Sequence, residues 1–144
     1  MRSVARVRGA ARRAVVELLA ICVVLVAGWK LPLDDEPGTS WAFLVPVVLF
    51  SAHSVLGLLV LLDGARLVVW SGVLGGQAVL QAVTGLVVCL GAVAAGAASL
   101  VGAGPDVHVA MSLAWVVGLA VFGRLWWSAS EALHTRPGSR TGGT

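Results

Sequence analysis

The residue with most chemical promise is His53, in the run Ser51-Ala52-His53-Ser54. An imidazole changes charge near neutral pH, relays protons and ligates metals. Here it stands in a stretch, Trp41 to Leu62, with no other ionisable side chain. Gln77, Gln81 and Thr84 follow at i, i+4 and i+7, a spacing that places them on one face of a helix. Ser51, His53, Ser54, Gln77, Gln81 and Thr84 together make a candidate polar cluster inside a bundle. Buried in lipid, such a cluster can serve as a proton path or a ligand site. The plainer reading is hydrogen bonding between helices, about 0.6 kcal/mol per pair on average. A haem would need a second His at similar depth, and His108 and His134 fall near segment ends. No metal or cofactor is assigned.

Glu17 is the second candidate. A carboxylate in the first helix of a small four-helix membrane protein resembles the proton-coupled site of small multidrug transporters. Glu17 also follows Arg13 by four residues, and a solvated Arg13–Glu17 pair at the membrane surface explains it more simply. Asp63-Gly64-Ala65-Arg66 resembles part of a motif in membrane enzymes that transfer a phosphoalcohol from a CDP-lipid. That motif is D-G-x-x-A-R, then eight residues, then G-x-x-x-D-x-x-x-D. Gly75 falls at the matching distance, but the two-residue spacer is missing, and Val79 and Val83 stand in place of the carboxylates. Divalent cations need those oxygens, so the four residues read as a cytoplasmic turn. H-E-x-x-H, G-x-S-x-G and a phosphate-cradling glycine loop are all missing from the sequence. Cys22 and Cys89 lie singly in apolar runs, where Cys packs as a small hydrophobe.

The elements that must carry these groups follow from composition. The chain has 144 residues, of which 58% are hydrophobic and 12% charged, with a mean hydropathy of +0.95. A core of this size cannot hide so much apolar surface from water, and disorder needs the opposite composition. An all-α integral membrane protein remains. A spanning helix takes about 20 apolar residues, and four stretches qualify, near 14–33, 41–62, 77–101 and 107–128. Short connectors join them at 34–38, 63–66 and 102–106, so neighbouring spans run up and down as an antiparallel four-helix bundle. Thr39 or Ser40 can cap the second helix and Asp106 the fourth. The apolar run from Leu67 to Val101 would make a helix of about 52 Å, too long for a hydrocarbon core of about 30 Å. Gly75-Gly76 is the natural break, leaving a short interfacial piece over 67–74. Small residues recur at Gly91, Ala95 and Ser99, and again at Ala110, Ala114 and Gly118. That spacing lets helices approach closely.

Residues 1–13 and 129–144 then form basic tails. Nine of the ten basic residues fall on one side of such a threading, with Lys30 alone on the other. The positive-inside rule puts both termini in the cytoplasm of a cell inner membrane, and the Arg-, Ala- and Gly-rich composition fits a bacterial genome rich in GC. Trp29 and Trp41 mark one boundary, Trp70, Trp126 and Trp127 the other. Arg12, Arg13, Arg66 and Arg124 are placed to meet anionic lipid headgroups. Lys30 and Trp29 read as an anchor at the end of the first span rather than as part of a cleaved signal. The whole reads as an accessory or structural membrane subunit without a catalytic site, with a lipid bilayer, a second copy or a membrane protein as partner and no role for nucleic acid. The alternative is a small proton-coupled transporter or channel built on the His/Gln/Thr cluster. A reporter active only outside the cytoplasm should be silent when fused at residue 144 and active when fused at Gly38. The reverse pattern would overturn this threading.

Overall fold

A computed structural model describes residues 2–30, 41–100, 102 and 104–135. Four helices make up nearly all of them: α1 (Arg2–Lys30), α2 (Trp41–Trp70), α3 (Gly76–Leu100) and α4 (Pro105–His134). Each packs on the next and α4 returns to α1, closing a four-helix bundle. Gly28 lies against Leu49 and Arg13 reaches Asp63, so α1 and α2 run antiparallel. Gly57 meets Val93 and Gly64 meets Leu86 across α2 and α3, while Gly85 meets Phe122 and Gly96 meets Met111 across α3 and α4. The expected all-α, up-and-down architecture is present. The acidic connector over 34–38, the Thr39 or Ser40 cap, Arg136 and Arg140 lie outside the described residues.

The helices are longer than the spans. Residues 2–13, read as a tail, are the first three turns of α1. Val4, Val7, Ala11, Ala14, Leu18 and Ile21 are all buried, alternating steps of three and four as in a coiled-coil seam. Arg2, Arg6, Arg8 and Arg12 stay on the exposed side. The same seam therefore serves inside and outside the apolar stretch.

The turn expected at Asp63-Gly64-Ala65-Arg66 is not a turn. α2 continues through it to Trp70. Two contacts explain why. Asp63, a turn-former by local preference, is neutralised by arginines (below), and Gly64 is a point of close approach. A Cβ there would come within 3.2 Å of Leu86 and 3.3 Å of Phe122. The chain reverses instead through a 3-10 turn, Ser71–Leu74, and Gly75 at φ +108°. Gly75 donates to the Gly72 carbonyl and accepts from Ala78 and Val79. A side chain would strain that φ, so the break falls where the glycine pair placed it. At the other hairpin, Pro105 opens α4 after extended Gly104, and Asp106 sits in the first turn instead of capping it. There its charge still complements the helix N-terminus.

The small-residue stripes meet in part. On α3 the residues facing α4 include Gly85, Cys89 and Gly96, a register offset from Gly91, which has open space around it. On α4 Gly118 does pack inward, with room for Cys89 Sγ but none for a Cβ. Three described helical segments are long and apolar enough to cross a membrane: Val47–Leu74, Gly76–Ser99 and Asp106–His134. Their outward faces carry Leu58, Val69, Leu80 and Leu113, all exposed, as lipid contact requires. The described part of α1, with its arginines and Glu17, is not among the three. Gly85→Ala sets a methyl 2.6 Å from a Phe122 ring carbon and should cost about 1–3 kcal/mol, whereas Gly91→Ala should be neutral or gain up to about 1 kcal/mol from helix propensity. Thermal unfolding in detergent checks both signs.

Candidate functional site

The extended α2 resets every depth in the α2/α3 hairpin. Facing pairs such as Gly57 with Val93 and Gly64 with Leu86 are centred on Gly75, so His53 lies opposite Gly96. A Cβ on Gly96 would sit 3.8 Å from His53 Nε2 and 3.3 Å from Met111 Sδ. On the α4 side the imidazole meets the fully buried Trp115 edge to face, with ring centroids 5.6 Å apart. His53 Nδ1 and Trp115 Nε1 are buried and have no hydrogen-bond partner among the described residues.

The polar cluster expected around His53 is not assembled. Gln77 stands exposed in the first turn of α3, Gln81 is half-buried and Thr84 is exposed, all near the hairpin turn and far along α3 from Gly96. Ser51 and Ser54 point outward and donate to the carbonyls of Val47 and Phe50 at 2.7 and 2.9 Å. α2 ends at Trp70, eight residues beyond the Leu62 at which the second span was expected to end, so His53 lies farther from the turn than the span implied.

The other polar centre was not anticipated. Asp63 is 2% exposed. Its Oδ2 accepts from Arg13 Nε at 2.8 Å, and its Oδ1 accepts from Arg13 Nη2 at 3.2 Å and from Arg66 Nη1 at 2.8 Å. The fork of Arg13 closes on both oxygens, a geometry suited to guanidinium, while Arg66 braces from the next turn of α2. Hydrogen bonding to Asp63 raises the Arg13 guanidinium above its ordinary value. Both arginines remain about half exposed, so their outer N–H groups face the surroundings. The pairing also corrects the Arg13–Glu17 expectation, because Arg13 turns to Asp63. Glu17 is half-buried, and its Oε2 has no partner among the described residues. A groove on the outside of α1 runs past Gly9, Arg12, Arg13, Val16 and Glu17. Arg124 is exposed on α4.

The remaining hydroxyls turn back on their own helices. Ser71, Ser99, Ser112 and Ser130 each donate to a carbonyl three or four residues earlier. Near the end of α4, Trp127 Nε1 donates to Glu131 at 2.8 Å. Both cysteines are free, with Cys89 buried. Among the described residues, His, Cys, Asp and Glu side chains nowhere gather in threes about a point where a metal could bind. The signal for Asp63 was present in pieces: an acidic residue inside an apolar run, and arginines at Arg13 and Arg66. Trp115 was visible as the one tryptophan in mid-helix.

No known protein family, characterised protein or solved structure matches the chain. What the fold and site define is a helical membrane protein with a clamped carboxylate toward one end and an unpartnered imidazole–indole pair toward the other.

The clamp makes a definite energetic prediction. Asp63→Asn should destabilise more than Arg13→Gln, since losing the acid strands two guanidinium groups while losing Arg13 leaves Arg66 in place. In a double-mutant cycle the pair should fall short of additivity by about 0.5–3 kcal/mol. Unfolding in detergent at constant salt measures it. Additive losses would mean the contact carries no coupling.

Proposed function

We propose that the protein is a non-catalytic, multi-pass membrane subunit with four spanning helices and both termini in the cytoplasm. It serves to brace or hold another membrane component. One observation carries this reading: the buried carboxylate and most of the described serine hydroxyls are bonded within the structure. Asp63 is consumed by Arg13 and Arg66, and Ser51, Ser54, Ser71, Ser99, Ser112 and Ser130 bond backbone carbonyls three or four residues earlier. A nucleophile needs an adjacent base within hydrogen-bond reach, and these hydroxyls donate elsewhere.

Orientation rests on charge. Arg2, Arg6, Arg8, Arg12 and Arg13 precede the apolar part of α1, and Arg66 and Arg124 stand at the same end of the bundle. Arg12, Arg124 and the free N–H groups of Arg13 and Arg66 are suited to phosphate oxygens of anionic lipids, which hold basic side chains near a cytoplasmic surface with about 1 kcal/mol each. The bacterial inner membrane is the setting this composition fits best.

A bracing subunit protects what it braces. Deleting the protein should lower the abundance of a specific partner membrane protein, measured by quantitative proteomics of isolated membranes. Re-expression should restore that level for the wild type and for Glu17→Gln, and not for Asp63→Asn. Loss of rescue by Glu17→Gln, together with collapse of an imposed pH gradient in wild-type proteoliposomes, would overturn the reading in favour of proton-coupled transport.

A further inference from the structure

Three hollows cross the half of the bundle away from Asp63. One of about 250 Å³ lies among all four helices, with Leu25, Phe50, His53, Ser99, His108 and Met111 in its wall. It shares His53 and Gly96 with a hollow of about 140 Å³ between α2 and α3. It also shares His108 and Met111 with one of about 410 Å³ between α1 and α4. The shared lining residues set the three side by side, a broken passage of partly open hollows across the bundle. α2 and α3 form the least extensive contact around the ring, which is where one mouth opens.

The chemistry of the wall limits the occupant. Among the described residues neither Arg nor Lys lines any of the three hollows, so an anionic headgroup would find no counter-charge there. The hydroxyls of Ser54, Ser99 and Ser112 already donate to backbone carbonyls. What is left in the wall is His53, backed by Trp115, and His108. Trp115 Nε1–H is a donor only, and in an uncharged imidazole one ring nitrogen donates while the other accepts. His53 Nδ1 and Trp115 Nε1 are both buried without a partner, and no hydrogen bond joins the two rings. Nε2 is the nitrogen turned to Gly96, which lines both of the hollows that meet at His53. The passage thus presents an imidazole able to donate from one ring nitrogen in a mostly apolar wall, with a second imidazole, His108, in the same hollow.

We infer that this passage binds an uncharged, membrane-soluble carbonyl compound of the quinone type, with a ring oxygen accepting from His53 and the tail leaving through a lateral mouth. Size agrees: an apolar cavity of about 150 Å³ accepts benzene, so the central hollow has room for a substituted ring. Two imidazoles in one hollow match a head with two acceptor oxygens. The described wall, without a cation, favours this ligand over fatty acids and phospholipids.

The test uses the full chain in phosphatidylcholine nanodiscs, titrated with decylubiquinone and followed by quenching of tryptophan fluorescence. Saturable binding of one quinone per chain is expected. His53→Leu should weaken it at least tenfold, and His53→Gln, which keeps an N–H donor, should stay within about threefold of wild type. Gly96→Leu should fill the passage and abolish binding, while Gln77→Leu should change nothing. Thermal unfolding of each variant shows whether it folds, and the two His53 variants carry the test if Gly96→Leu does not. Quenching that rises without saturation would overturn the inference. So would decylbenzene binding as tightly as the quinone, or His53→Leu binding like wild type. Displacement of the quinone by equimolar decanoate would make the site one for carboxylates and would equally overturn it.

Discussion

The Asp63 carboxylate is the constraint on which the rest of this bundle depends. Removing a carboxylate from water costs several kcal/mol unless paired charges and hydrogen bonds compensate. Here three guanidinium N–H groups supply the compensation, two of them from a residue 50 positions away. Because Arg13 comes from α1, the contact fixes where α1 stands along α2. Because Arg66 comes from the next turn of the same helix, it also rewards α2 for remaining helical past Asp63. The reversal is thereby displaced to Gly75, whose φ of +108° accommodates it. With the reversal there, His53 has no choice of neighbour but Gly96 and Trp115. A single ion-paired carboxylate at one end thus sets which residues meet at the other.

Helix length and apolar length do not coincide around the bundle. Helices of 29 and 30 residues in α1, α2 and α4 extend about 44 Å, well beyond a hydrocarbon core of about 30 Å. On the α1 side arginines continue to Arg13. At the same level on the other side, α3 carries no charged residue anywhere along its length. Exposed Val69, Val73 and Leu80 belong to that second side. On the threading proposed above, a bundle whose two faces have unequal apolar lengths would lower its mismatch by tilting, sinking the α2–α3 hairpin and keeping the arginines of α1 at the surface. The half-exposed Arg13 and Arg66 stand on the border between these two regimes. Their position explains how a buried acid can coexist with a lipid environment: each arginine pairs inward and is solvated outward.

The parts of this fold legible in the sequence were those that local signals determine. Apolar length gave helices, glycine gave the break at Gly75, and short connectors gave antiparallel neighbours. The misread parts were those where a distant contact outvoted a local preference. Asp63-Gly64 is a turn signal on its own terms; nothing within ten residues reveals that Arg13 will meet it. The polar face of Gln77, Gln81 and Thr84 was real as a face, but its depth relative to His53 rested on the wrong end for α2. The helical character of residues 2–13 was, by contrast, present in the sequence. Val4, Val7, Ala11 and Ala14 continue into Leu18 and Ile21 with unbroken spacing, and the arginines between them drew the eye to charge instead of period.

Polar bookkeeping separates the two ends of the molecule. Buried hydrogen-bonding groups left unpaired cost about 1–3 kcal/mol each, and native structures contain few of them. In this bundle the described unpaired buried atoms are Glu17 Oε2, His53 Nδ1 and Trp115 Nε1. Glu17 is flexible and borders the groove outside α1, where its carboxylate can reach toward the surface. Trp115 has no such exit, being fully buried, and half-buried His53 packs against it edge to face. Packing alone would have been served better by an apolar residue at position 53, since Gly57 and Gly96 on either side already admit close approach of the helices. An imidazole there, at the junction of the hollows, fits the ligand inferred above, whose oxygen would accept from the ring nitrogen that faces Gly96.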